Sequence, residues 1–231
     1  MDKASAFKIL SGNGVSLTED QTQLLSQYVD QLLAWNSKIN LVSRANDDVW
    51  GSHIIHSLAL LFIVDLPAGI RIIDIGTGGG LPGIPLAIAR PDISFVLVDS
   101  VKKKINAVSD MLMNLALPNV SAMSGRTEEL KKNPDLCQSF DISLARAVAP
   151  LHELVAWSKP FARHSSYSLR LIRTGESFQL PALLAMKGGD ISGEVEMANR
   201  KALTNSRVVG ISFDGIDRIG LDDKKLVITN L

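Results

Sequence analysis

The sequence predicts an α/β fold with a mostly parallel sheet. Three observations carry that prediction: short β-branched runs alternate with helical segments from residue 70 onward, a glycine loop follows the first run, and an acidic residue closes the second. The first four runs are residues 70–75, 93–98, 120–123 and 140–145. Strands separated by helix-length stretches must run parallel, because the crossover is what the intervening helix supplies. Later apolar runs at 167–172, 182–186, 208–213 and 224–229 extend the same sheet toward seven strands. The first 69 residues read as helical. Thr18 and Gln21 form a capping-box pattern, after which Leu24, Leu25, Tyr28, Val29, Leu32 and Leu33 recur at helical spacing to about Trp35. Val49, Trp50, Ile54, Ile55, Leu58 and Leu61 predict a second helix that closes at the Pro67 to Gly69 turn. No Pro/Gly/Ser-rich linker follows. Residues 1–231 are therefore expected to form a single domain, with helical residues 1–69 packed on an α/β body over 70–231.

Composition narrows the class. Apolar residues make up 46% of the 231, charged residues 21% and aromatics 5%, which describes a globular chain with an aliphatic core. The longest apolar run, residues 58–64, is far short of the roughly 18 needed to span a bilayer. The first fifteen residues hold no signal-peptide core, so the protein is expected in the cytoplasm, away from membranes. A lone cysteine, Cys137, excludes an internal disulfide, and with only four histidines no metal site is expected. Basic and acidic residues balance at 24 each, so any nucleic-acid binding must come from local patches.

The chemistry-bearing motif is Asp74-Ile-Gly76-Thr-Gly78-Gly79-Gly80-Leu81-Pro-Gly83, a strand, a tight loop and a helix start in succession. Glycines let the backbone turn sharply and approach a ligand closely, as in the nucleotide-binding loops of doubly wound sheets. A nicotinamide fingerprint needs a third glycine where Leu81 stands. The spacing is G-x-G-x-G instead, and it is similar to the S-adenosylmethionine loop of the Rossmann-like methyltransferases. Asp74, Gly76, Gly78 and Gly80 are accordingly expected at the cofactor. The next strand ends in Asp99, placed to accept from ribose hydroxyls or to cap the helix that follows. Thr127 and Glu128 open the helix after the third strand and are placed either for an adenine edge or for simple capping.

Several stretches in order resemble the RsmG (GidB) family: Trp35-Asn36 with Asn40-Leu41, His53-Ile54 with Ser57, 74–83, 97–100, Arg146-Ala147 and Met186-Lys187-Gly188. The resemblance implies a Rossmann-like S-adenosylmethionine-dependent methyltransferase fold and methylation of guanine N7 in 16S ribosomal RNA. The implied cofactor is S-adenosyl-L-methionine; the implied partner is 16S ribosomal RNA or the small-subunit particle, with the enzyme acting as a monomer. It also implies that Gly76, Leu81, Thr127, Glu128 and Arg146 line the donor site. Arg146 sits just past a strand, where a guanidinium holds either a donor carboxylate or the RNA. With Lys187 it is expected to be catalytic, positioning the guanine or its phosphate.

The chain departs from the family in two places. His56 stands where the family usually has Asp, and residues 160–186 are longer than expected. That longer segment carries Arg163, Arg170 and Arg173, which with His53 are the expected RNA contacts. Residues 159–207 hold eight basic and four acidic side chains, which fits a local basic face. Guanine N7 presents a lone pair and no proton, so methyl transfer to it calls for orientation and no general base. No Asp/Asn-Pro-Pro-Tyr motif for adenine N6 occurs, and Cys137 follows Leu136, without the Pro-Cys pair of cytosine C5 chemistry. The donor loop by itself leaves the acceptor open, whether RNA, protein or small molecule.

Overall fold

The computed structural model describes residues 1–42 and 48–231. Helix α1 (Lys3–Gly12) is capped by the Asp2 side chain, which accepts from Ser5 N; the sequence reading missed it. Helix α2 (Glu19–Asn36) starts at Thr18 with both hydrogen bonds of the predicted capping box in place. The predicted second helix is broken. A π-helical turn over Trp50–Ile55 passes into the short α3 (His56–Leu58) and α4 (Leu60–Ile63), and the chain then leaves as strand β1 (Val64–Asp65).

The α/β body follows the predicted order: β2 (Arg71–Ile75), α5 (Gly83–Ala89), β3 (Ser94–Asp99), α6 (Lys102–Leu115), β4 (Val120–Ser124), α7 (Thr127–Leu130), β5 (Ile142–Arg146) and α8 (Leu151–Ser158). After these come β6 (Ser168–Leu171), β7 (Ser177–Gln179), β8 (Ala182–Gly188), α9 (Ser192–Ala202), β9 (Ser206–Gly210) and β10 (Lys224–Asn230). Seven strands form one sheet in the order β4-β3-β2-β5-β8-β10-β9. The first five are parallel, and β10 runs antiparallel to both β8 and β9. The order reverses at β2, whose neighbours β3 and β5 lie on opposite sides, and that is where an open α/β sheet leaves a crevice.

Strand alternation divides the core. Ile72, Leu97, Ile142 and Leu144 face the layer of α1, α2, α5 and α6, sharing one apolar cluster with Leu25, Tyr28, Leu32, Ile54 and Leu58. On the other face, Ile73, Ile75, Val96 and Val98 pack against Leu130, Phe140 and Phe161, and Ala145, Leu183 and Ala185 pack against α8 and α9. Both faces of β2, β3, β5 and β8 are covered, which is why their sequences read as near-continuous apolar runs, whereas the edge strand β4 is only partly covered.

The run at 167–172 does not join the main sheet, contrary to expectation. It becomes β6, which pairs with β7 and with β1 in a separate three-stranded sheet. This hairpin leads straight into Ala182, which stands beside Ile142 and donates to Asp141 O, so it lies at the edge where the parallel strands begin. Arg163, Arg170 and Arg173, the expected RNA contacts, therefore sit near the edge opposite the glycine loop and do not line the cavity beside that loop. Arg170 pairs with Asp65 at 3.3 Å on the surface. Arg163 has a structural role: its fork donates to both carboxylate oxygens of the fully buried Asp141, at 2.9 and 2.6 Å, and Arg71 N donates to the same group. Burial alone would raise the Asp141 carboxyl; these bonds outweigh it and hold the group below its ordinary value.

Removing one partner of a buried charge leaves the other uncompensated. Arg163→Ala is expected to lower stability by about 2 kcal/mol in urea denaturation. Ligand binding at the opposite sheet edge should be unaltered; a loss of RNA affinity with unchanged stability would contradict the structural role.

Candidate functional site

At the carboxyl end of β2 the backbone turns through Gly76 and Gly78, at φ +74° and +60°, where a side chain would be strained. Close approach constrains Gly76 further, since a Cβ there would stand 2.5 Å from Val148 Cγ1. The loop is clamped from both sides. Gly76 N and Thr77 N donate to Val98 O on β3, at 2.8 and 3.0 Å. Asp99 accepts from Gly78 N at 3.0 Å through one oxygen and from Val101 N at 2.9 Å through the other. Beneath the loop, Asp74 Oδ2 accepts from Thr77 Oγ1 at 2.7 Å and from Gly83 N at 3.1 Å. From the helical layer, the buried Tyr28 hydroxyl donates to Gly79 O at 2.9 Å.

These turns frame a cavity of about 460 Å³, within the range of roughly 300–1,000 Å³ typical of small-molecule sites. Gly76 to Gly79 and Leu81 form one wall, Asp99 to Val101 a second, and Gly125 to Glu128 a third. Arg146, Ala147 and Val148 close it from β5. Of the predicted cofactor residues, Gly76, Gly78, Leu81, Asp99, Thr127, Glu128 and Arg146 come together here.

Four expectations are corrected. Asp74 is completely buried under the loop and shapes it from below without reaching the cavity. Gly80 faces away; a Cβ on it would meet Ile84 and the Tyr28 hydroxyl. Lys187 does not line the cavity, because its ammonium is engaged by Glu194 and by Ala149 O. His53 does not line the cavity either: its ring nitrogens are shut off from solvent and have no hydrogen-bond partner among the described residues. Sequence reasoning missed Leu41, Lys104, Val148 and Trp157. Val148 and Lys104 lie shortly after strand ends and were discoverable on that ground. Trp157 depends on where α8 packs, for which the sequence holds no signal.

Arg146 dominates the electrostatics. Among the described residues its guanidinium makes no hydrogen bond or ion pair, although it lies close enough to Tyr28 and Asp74 to feel both. Burial lowers its affinity for a proton, yet a guanidinium remains charged. Burial pushes the Asp74 carboxyl up to about 6, against its bonds to Thr77 and Gly83 and the nearby Arg146 charge. Burial followed by the Arg146 charge pushes His53 down to about 4 and His56 down to about 3. Both imidazoles are thus neutral at pH 7, and His56 presents no charge to offset Arg146. Among the described residues no cluster of three or more His, Cys, Asp or Glu is arranged to hold a metal, and no helix is long and apolar enough to cross a membrane.

Comparison with known proteins follows the same lines. A family model described as rRNA small subunit methyltransferase G, GidB, matches residues 21–210. A protein of that name from Chlorobaculum tepidum is 42% identical over 80% of this chain and 77% of its own length. One from Chlorobium luteolum is 37% identical over 95% of this chain and 86% of its own. Among solved structures, an S-adenosylmethionine-dependent methyltransferase from Aquifex aeolicus superposes with a TM-score of 0.52 at 14% identity, covering 85% of this chain and 96% of that one. At that identity it bears on the fold alone.

His56 makes the pH dependence testable. In the unfolded chain it titrates near 6.5 and in the fold near 3, so between those values the unfolded chain holds the extra proton and stability falls as pH drops. Between pH 7 and pH 5, His56→Asn is expected to lose about 2 kcal/mol less stability than the parent chain. Equal losses in urea titrations at the two pH values would refute a neutral, buried His56.

Proposed function

The chain belongs to the rRNA small subunit methyltransferase G family, and from that membership we propose that it transfers the methyl group of S-adenosylmethionine to N7 of a guanine in 16S ribosomal RNA. The observation that carries the reading is the junction of Asp99 with the glycine loop: a carboxylate at the carboxyl end of β3 whose oxygens are aimed by Gly78 and Val101. The donor fits what surrounds it. Each Asp99 oxygen has a lone pair left for ribose hydroxyls, because a carboxylate offers about four acceptor sites and two are filled. Thr127 and Glu128 offer a hydroxyl and a carboxylate to the amino edge of adenine. The Arg146 guanidinium, unpaired among the described residues, suits the carboxylate or phosphate that the bound partners bring.

When bound, S-adenosylmethionine supplies an activated methyl group on a sulfonium sulfur. The chain's residues have the task of orientation, worth up to about 7–11 kcal/mol in well-aligned reactions. Gly76 and Val148 stand against each other along the cavity wall, and Asp99 fixes one end of the ligand. Arg146 places positive charge at the border with the helical layer. No side chain has to remove a proton, because guanine N7 carries none. The core shared by the N-terminal helices and the sheet supports reading residues 1–231 as one domain. A ribosomal substrate supports a cytoplasmic place of work.

The test is incubation with methyl-labelled donor and small-subunit particles or 16S RNA from cells lacking the activity, followed by mapping of the label. Label on one guanine N7 is expected. Asp99→Asn should weaken donor binding about tenfold by losing charge-assisted bonds. Arg146→Ala should cut transfer about a hundredfold or more with the fold intact. Normal turnover in Arg146→Ala would remove that residue from the mechanism.

A further inference from the structure

After β5 the chain turns at Ala147, a non-glycine residue at φ +52°, and the turn carries Val148 back over Gly76. Left-handed backbone at an alanine persists only where tertiary contacts impose it. The contacts are specific. Lys187 Nζ, near the end of β8, donates to Ala149 O at 2.5 Å and to Glu194 Oε1 at 2.5 Å. The same Glu194 oxygen, on α9, accepts from Leu151 N at 2.5 Å. One ion pair thereby grips both ends of the Ala149 to Leu151 segment. Its side chains are 10% and 27% exposed, so bulk water screens it little. Neither side chain reaches the cavity.

We propose that Lys187 and Glu194 are positioning residues for the donor pocket, a largely buried ion pair that holds residues 147–151 so that Val148 lies against Gly76. The proposal rests on the donor reading given above. It assigns to Lys187 a role in donor affinity in place of one at the acceptor, because its charge is spent on the loop. It also ties α9, which lies far from Gly76 in sequence, to the shape of the methyl-donor site.

The test uses the full chain, with S-adenosylmethionine titrated calorimetrically and methyl transfer measured at saturating donor. Glu194→Gln keeps an acceptor for Leu151 N and loses the charge; Lys187→Met loses the ammonium. Each is expected to weaken donor binding about tenfold, the double variant should add little to either single change, and Lys187→Arg should recover part of the loss. Turnover at saturating donor should stay within about threefold of the parent. Val148→Ala leaves the ion pair intact and should weaken donor binding as well, which keeps the idea testable should a Lys187 variant misfold. Unchanged donor affinity in folded Glu194→Gln or in Val148→Ala overturns the proposal, as does a collapse of turnover with donor affinity intact. Failure of the parent chain to bind the donor overturns the donor reading itself, and is seen before any variant is compared.

Discussion

A carboxylate with no exposed surface lies under the glycine loop, and the geometry of the site follows from it. Asp74 binds Thr77 within the loop and Gly83 at the start of α5, so one side chain sets both the turn and the helix that follows. Burial raises its proton affinity, to a pKa of about 6, and the arrangement holds because three groups oppose that burial: two hydrogen-bond donors and the Arg146 charge. With the loop closed from below, Asp99 can reach Gly78 from the side. The rest of the cavity is built on these two carboxylates, one that shapes and one that faces the ligand.

The N-terminal helices belong to this assembly. Tyr28 passes its hydroxyl to Gly79 O from the middle of α2, and Leu32 lies where a Cβ on Gly79 would sit. The layer also sets the charge around Arg146, since Tyr28, His53 and His56 all approach it and each is neutral at pH 7. With His56 neutral, no charge on that side compensates the guanidinium, and its pull on an anion brought by a ligand stays undiminished. A bulk net charge of zero and local positive charge in the site are compatible, because Lys104, Arg126 and Arg146 gather there beside Asp99 and Glu128.

The longer segment before β8 builds away from this chemistry. Its hairpin pairs with the two-residue β1 at the edge where the strands begin, and Arg163 and Arg170 meet the acids Asp141 and Asp65. Basic composition alone suggested RNA contact, but each charge has to be weighed with its partner. Lys187 illustrates the same point within the site's own half of the sheet, where Glu194 consumes it.

How much was legible in the sequence differs between local and long-range features. Strand order of appearance, the α2 cap, the glycine turn and Asp99 were determined by the sequence itself, since each rests on local periodicity or on conformations open only to particular residue types. The broken second helix was not legible, because its apolar spacing does not reveal a π-turn, and neither was the separate sheet of β1, β6 and β7, because β-branched runs do not say which edge they join. Of the residues lining the cavity, Gly76, Gly78, Asp99, Thr127 and Glu128 were legible from the glycine loop and the strand ends, whereas Leu81 and Arg146 were expected there from the family resemblance. Only the tertiary structure decided that Asp74 and Gly80 turn away, that His53 is enclosed, and that Lys187 and Arg163 are occupied. The reason is physical: what a charged or polar side chain can do depends on the partner that packing brings to it, and those partners lie seven to seventy residues away along the chain.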